Sequence, residues 1–224
     1  MKAKTETATG ISPELYHRYL EHLINGNSAI CVEIVNGLLE QQIDIQTLYI
    51  ELFQKSLYEI GALWEQNKIS VAREHLATAI TDRAMNLVYA QLFANALPHR
   101  KKATISCAAN EFHQIGGKMV ADLLEMRNWD THFLGANTPV EHLIRHLHEE
   151  SVSLVGLSLS VYFNMPSLLE MIQTIRDAFP DLDIIVGGQA FRFGGTEHLS
   201  IFSHVTYCDS IARLDELVGQ GNVQ

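Results

Sequence analysis

The apolar residues of this chain change their period near residue 100, and that change limits the fold more than any other feature. Before it they recur only at helical spacing; after it, short apolar runs alternate with helical stretches. A purely helical half buries its stripes against other helices. Strands alternating with helices call for a parallel sheet covered on both faces. The 224 residues therefore read as an α half followed by an α/β half.

In the first half, Ser12 before Pro13 reads as a helix start and Asn25-Gly26 as its stop. A second helix fits residues 28–42, with Ile30, Ile34, Val35, Leu38 and Leu39 on one face. A third runs from Asp44 to about Gln66. Ser70 caps a fourth, which reaches about Leu97. There Pro98 and the basic run His99-Arg100-Lys101-Lys102 end it as a solvated linker. The expected organisation is a flexible tail over residues 1–12, a four-helix bundle over 13–98 and a second domain over 103–224. In that second domain strands are predicted at 103–109, 130–134, 153–159, 183–187 and 204–208. Helices fall near 115–127, 139–149, 165–178 and 210–219. Five parallel strands suit the flavodoxin-like (Rossmann-type) order, whose ligand site lies at the carboxyl ends of the strands near the switch point.

Composition narrows the function. A formal charge of −10 argues against direct nucleic-acid binding, which needs clustered Lys and Arg. Cys31, Cys107 and Cys208 are widely spaced with no CxxC, as in a reduced cytosolic protein. Residues 1–11 hold no apolar run, and no segment reaches ~18 uninterrupted apolar residues, so neither a signal peptide nor a membrane span is predicted. A soluble cytoplasmic protein is expected. With no nucleophile–base arrangement and no G-x-G-x-x-G loop, an enzyme is not. His142, His146 and His148 share one predicted helix, the first two at i,i+4. No further ligand is apparent in the sequence, so they read as a solvated face.

Three unusual loops follow three of the strands, and in a parallel sheet they open on one edge. The first is Glu111-Phe112-His113-Gln114-Ile115-Gly116, the second Ser158-Leu159-Ser160, the third Gly187-Gly188. His113 can ligate a metal if a carboxylate holds its other nitrogen, and Glu111 is placed to do so. Gly116 permits a close approach where a helix begins. Ser158 offers a hydroxyl to a ligand heteroatom, and the glycine pair leaves room for something bulky against the backbone. These residues resemble the cobalamin-binding domain family, whose pattern is a DxHxxG loop, an SxL serine motif and a GG pair. The spacing agrees: Ser158 follows His113 by 45 residues, and Gly187 follows Ser158 by 29. The resemblance implies that His113 replaces dimethylbenzimidazole as lower ligand of cobalt. Glu111, Gln114, Ile115 and Gly116 would surround it, and the displaced nucleotide tail would pass Ser158, Ser160, Gly187 and Gly188. The chain departs from the pattern twice, with Glu111 in place of aspartate and Ser160 in place of leucine.

The helical half bears on the opposite face of cobalt. Trp64 lies near the end of the third helix, and Glu74 and His75 in the first turns of the fourth. A flat indole can cover an adenosyl group by stacking, while Glu74 and His75 can bond ribose or adenine polar groups. The Trp-x9-Glu-His pattern resembles the light-sensing, adenosylcobalamin-binding CarH-type photoreceptors and their short AerR-like relatives, over about residues 14–220. It implies that light breaks the cobalt–carbon bond of adenosylcobalamin and that loss of the upper group lets bundle and cobalamin domain move. DNA-binding members can have a cobalt-capturing histidine after the tryptophan, where this chain has Glu65. Those members also carry a basic helix-turn-helix region before the bundle, where this chain has an 11-residue tail. The resemblance thus implies a stand-alone photoreceptor, signalling as a homo-oligomer or through a protein partner such as a transcription regulator. Short relatives of the photocobilin type also bind a bilin such as biliverdin, held here without a cysteine anchor. The alternative is a corrinoid carrier protein of a methyltransferase system, which shares the bundle, histidine loop, serine and GG pair. A methyl ligand needs no stacking cap, so Trp64, Glu74 and His75 discriminate.

Overall fold

The computed structural model describes residues 10–92 and 101–219, which fall into two compact units divided near residue 94. The first unit is helical: α1 (Pro13–Asn25), α2 (Ser28–Glu40), α3 (Ile45–Thr47), α4 (Lys55–Glu65) and α5 (Val71–Leu92). Ser12 Oγ accepts the Leu15 N–H at 3.2 Å, and Gly26 closes α1 in the left-handed region at φ 77°. Ile11 also donates its N–H to Glu51, so these residues of the expected tail are tied to the bundle. Asp44 caps the third helical stretch through the Thr47 N–H at 2.8 Å. That stretch is not the uniform α-helix that its period predicts. A π-helical segment, Leu48–Gln54, joins α3 to α4. It buries Leu48, Tyr49, Leu52 and Phe53, with the Tyr49 and Phe53 rings 5.7 Å apart. The predicted end of the fourth helix at Leu97, and Pro98 to Arg100, lie outside the described residues.

The second unit alternates: β1 (Lys101–Cys107), α6 (Ile115–Met126), β2 (Trp129–Gly135), α7 (Val140–Glu150), β3 (Leu154–Ser158), α8 (Met165–Ala178), β4 (Asp183–Gly187), β5 (Val205–Tyr207) and α9 (Ile211–Gly219). Every strand pair is parallel, in the order β2-β1-β3-β4-β5, the flavodoxin-like order. Lys101 and Lys102 open β1 and so are not a linker. On one face α7 and α8 bring Leu143, Leu147, Leu168 and Ile172 against Val155, Leu157, Ile184 and Val186. The alternate strand positions turn the other way: Ile105 and Phe133 meet Gly117 of α6. No helix among the described residues is long and apolar enough to cross a membrane.

Candidate functional site

The ends of the three motif-bearing strands lie side by side. Cys107 pairs in register with Ser158, and Ser158 with Gly187. Beyond them the chain leaves β1 and β3, the neighbours from which the sheet extends in opposite directions, so the loops sit at the switch point.

Glu111 joins two of these loops. Its side chain is fully buried. Oε1 accepts the backbone N–H of His113 at 2.9 Å and lies 2.6 Å from His113 Nδ1. Oε2 accepts the backbone N–H groups of Ser160 and Val161, both at 2.9 Å. Burial alone would push this carboxyl up. The hydrogen bonds from the His113 ring, the His113 amide and the Val161 and Ser160 amides outweigh it and hold the pKa at about 2. A buried, charged, fully engaged carboxylate thus fixes the imidazole through Nδ1, and Nε2 is the nitrogen the ring presents for coordination. The His113 ring is about half exposed. Glutamate, where the motif has aspartate, has reach enough to span both loops. Ser160 serves that carboxylate with its amide, so the missing leucine does not weaken this link.

The glycines divide by what surrounds them. A Cβ on Gly187 would lie 2.8 Å from the Cys208 carbonyl oxygen, and one on Gly188, at φ 122°, would run into the Leu159 backbone. The chain itself fills the space of those two missing side chains, so the fold requires both glycines. Gly116 differs. A Cβ there would meet only Ser158 Oγ, at 3.8 Å, an ordinary contact. The protein does not require glycine at 116, so an open cradle lies beside His113 and the Ser158 hydroxyl. An imidazole held through Nδ1, a neighbouring hydroxyl and an unfilled cradle fit a corrinoid. Ile115, expected at the cofactor, is 6% exposed. Gln114 is the N-cap residue before α6, with its side-chain oxygen near Gly135.

Sequence reasoning missed the apolar rim. Phe112 and Phe163 are 69% and 89% exposed, and Val161 and Tyr162 are exposed beside them. Large apolar groups on the loops after β1 and β3 suit a broad, flat ligand. The signal was present: Phe112 lies inside the histidine motif, and Val161-Tyr162-Phe163 directly follows Ser160.

In the helical unit, Trp64 is the penultimate residue of α4, and Glu74 and His75 stand in the first turns of α5, across the turn 66–70. Trp64 is 43% exposed and so is not a core aromatic. Glu74 Oε2 lies 2.5 Å from His75 Nδ1, and Oε1 accepts the Thr78 hydroxyl at 2.9 Å. The His75 ring is largely exposed and is oriented through Nδ1, as His113 is. Burial raises the thiols of Cys31, Cys107 and Cys208 to about 11, 12 and 11, so none is a thiolate near neutral pH.

Two family models match the chain, each described as a B12 binding domain, over residues 15–89 and 101–207. The chain is 26% identical over 166 residues to the HTH-type transcriptional repressor CarH of Myxococcus xanthus, covering 72% of this chain and 50% of that one. It is 19% identical over 132 residues to dimethylamine corrinoid protein 2 of Methanosarcina acetivorans, covering 57% and 61%. The chain spans about half the length of the repressor it matches. The monomethylamine corrinoid protein of Methanosarcina barkeri has the same fold, with a TM-score of 0.79 over 93% of this chain and 98% of that one, at 14% identity. The helical and sheet units match in turn, one after the other along the sequence, and the chain belongs to the cobalamin-binding domain family.

Proposed function

We propose that the chain is a cobalamin-binding light sensor, not an enzyme, that signals through its own oligomerisation or through a protein partner such as a transcription regulator. The observation that carries this reading is the helical corner. An exposed indole, Trp64, and an imidazole, His75, held by Glu74 stand at the same end of a helix pair. A methyl upper ligand gives such groups nothing to do, whereas an adenosyl group offers a flat base to stack on and polar edges to bond. When bound, adenosylcobalamin supplies a cobalt–carbon bond that visible light breaks. The chain supplies the rest. Glu111 orients His113, which would hold the cobalt, Gly116 and Ser158 would take the cofactor beside it, and Trp64, Glu74 and His75 would select its adenosyl group.

The second reading, a corrinoid carrier of a methyltransferase system, is favoured by the likeness to the dimethylamine corrinoid protein. Reconstitution of the full chain with adenosylcobalamin, followed by green illumination, separates the two. A sensor loses the adenosylcobalamin spectrum and changes its elution volume in size-exclusion chromatography. A chain indifferent on both readouts is a carrier. Added biliverdin gives a red absorption band only if the chain is of the photocobilin type. With no thiolate available, that band would come from non-covalently held bilin and disappear on denaturing gel filtration.

A further inference from the structure

The sheet unit holds a second group of metal-ligating side chains, away from the His113 loop, between the middle of β2 and the last turns of α7. His146 of α7 faces His132 of β2, and Glu150 follows His146 by one helical turn. His132 Nδ1 and His146 Nε2 are 3.2 Å apart, with ring centroids 5.2 Å apart. One ligating atom from each of His132, His146 and Glu150 lies within 4.8 Å of the others. His142 and His148 are exposed, as a solvated face requires, but His146 is half-buried against His132. The further ligand comes from the neighbouring strand, and the i,i+4 pair that matters is His146 with Glu150, not His142 with His146.

We propose that His132, His146 and Glu150 bind a divalent first-row transition metal of the zinc class. Two imidazoles and one carboxylate are a donor set that suits such ions, with a fourth position left for water. The ligands stand on a strand and a helix rather than on loops, and all three are half-buried, so little ordering is needed on binding. A carboxylate stands near enough to reach the second nitrogen of His132 after a small shift. Asp130 Oδ1 lies 3.9 Å from His132 Nε2, the nitrogen turned away from His146. A carboxylate behind a ligating imidazole orients the ring and raises its basicity. Lys102, whose strand position pairs with Asp130, sets its ammonium 2.8 Å from Glu150 Oε2. That ammonium is a resident cation which the metal displaces from Glu150. A bound ion would tie α7 to the edge strand β2 across the face of the sheet.

The test is isothermal titration of the untagged, chelator-treated full chain with Zn2+. It compares the wild type with His132→Gln, His146→Gln, Glu150→Gln and Lys102→Met. The wild type is expected to bind one equivalent whose affinity falls by at least about tenfold in each ligand variant and rises in Lys102→Met. Zn2+ should also raise the thermal midpoint of the wild type and not that of His146→Gln. Zinc binding unchanged in the histidine variants, or no binding by the wild type, overturns the proposal. Where a histidine variant does not fold by circular dichroism, the opposite shifts expected of Glu150→Gln and Lys102→Met decide, and equal shifts or none overturn it.

Discussion

Glu111 carries a charge in a place where burial alone would remove it. Four hydrogen bonds, two from His113 and two from the amides of Ser160 and Val161, reverse the effect of burial and bring its pKa from 4.5 to about 2. A carboxyl more acidic in the folded than in the unfolded chain stabilises the fold above its unfolded pKa. That contribution is complete above about pH 5 and is lost as pH falls towards 2. From the size of the shift it amounts to about 3 kcal/mol. Glu111→Gln keeps the length and removes the charge. Urea unfolding of the cobalamin-free protein should show a loss of roughly 2–3 kcal/mol at pH 7. It should also show a flatter decline than wild type between pH 5 and pH 2.5. Parallel acid limbs in the two proteins would mean that the charge does no stabilising work. The sequence placed Glu111 two residues from His113 and so made the imidazole contact legible. It gave no sign of the Ser160 and Val161 amides, because that bond joins residues about fifty positions apart.

Elements were legible where the local pattern met no competition. β4 at 183–187 and α8 at 165–178 stand where alternation and period put them. β1 begins two residues earlier than predicted. Its leading lysines look like a linker by composition, yet Lys102 finds Glu150 and Lys101 stacks its ammonium over Trp129 at 5.7 Å. The π-helical segment was invisible because a stretch of helix with one wider turn keeps nearly the same apolar spacing. The turns between elements held the subtler lesson, since glycines that read alike serve differently. Gly188→Ala would set a side chain at φ 122° against the Leu159 backbone and should cost about 2 kcal/mol or more with no cofactor present. Gly116→Ala, at the second residue of α6, meets only an ordinary contact and removes backbone freedom from the unfolded chain. It should leave stability unchanged or raise it by up to ~1 kcal/mol, while weakening cobalamin binding by at least about tenfold. Thermal midpoints of the cobalamin-free variants and cobalamin titrations measure both. A Gly116→Ala protein that binds cobalamin like wild type would show that the cradle is not part of the site.

At the scale of the whole molecule, the change of period near residue 100 does divide a helical from a sheet unit, and His113 and Trp64 fall on different sides of it. The sensor reading requires both to act on one cofactor, which makes a quantitative demand. On that reading His113 would hold the cobalt, a feature common to every cobalamin, so His113→Ala should weaken adenosylcobalamin and methylcobalamin by similar factors. Trp64 would bear on the adenosyl group, so Trp64→Ala should weaken adenosylcobalamin by about tenfold and leave methylcobalamin nearly unchanged. The double variant closes the cycle, and its departure from the sum of the two losses measures their coupling through the shared cofactor. The indole is 43% exposed, so its removal should move the unfolding midpoint of the cobalamin-free chain only slightly. A Trp64 that merely packs the bundle gives the contrary pattern: a lowered midpoint and equal losses for both cobalamins. Titrations of the four proteins with the two cobalamins therefore distinguish an upper-face selector from a structural aromatic before any light is applied.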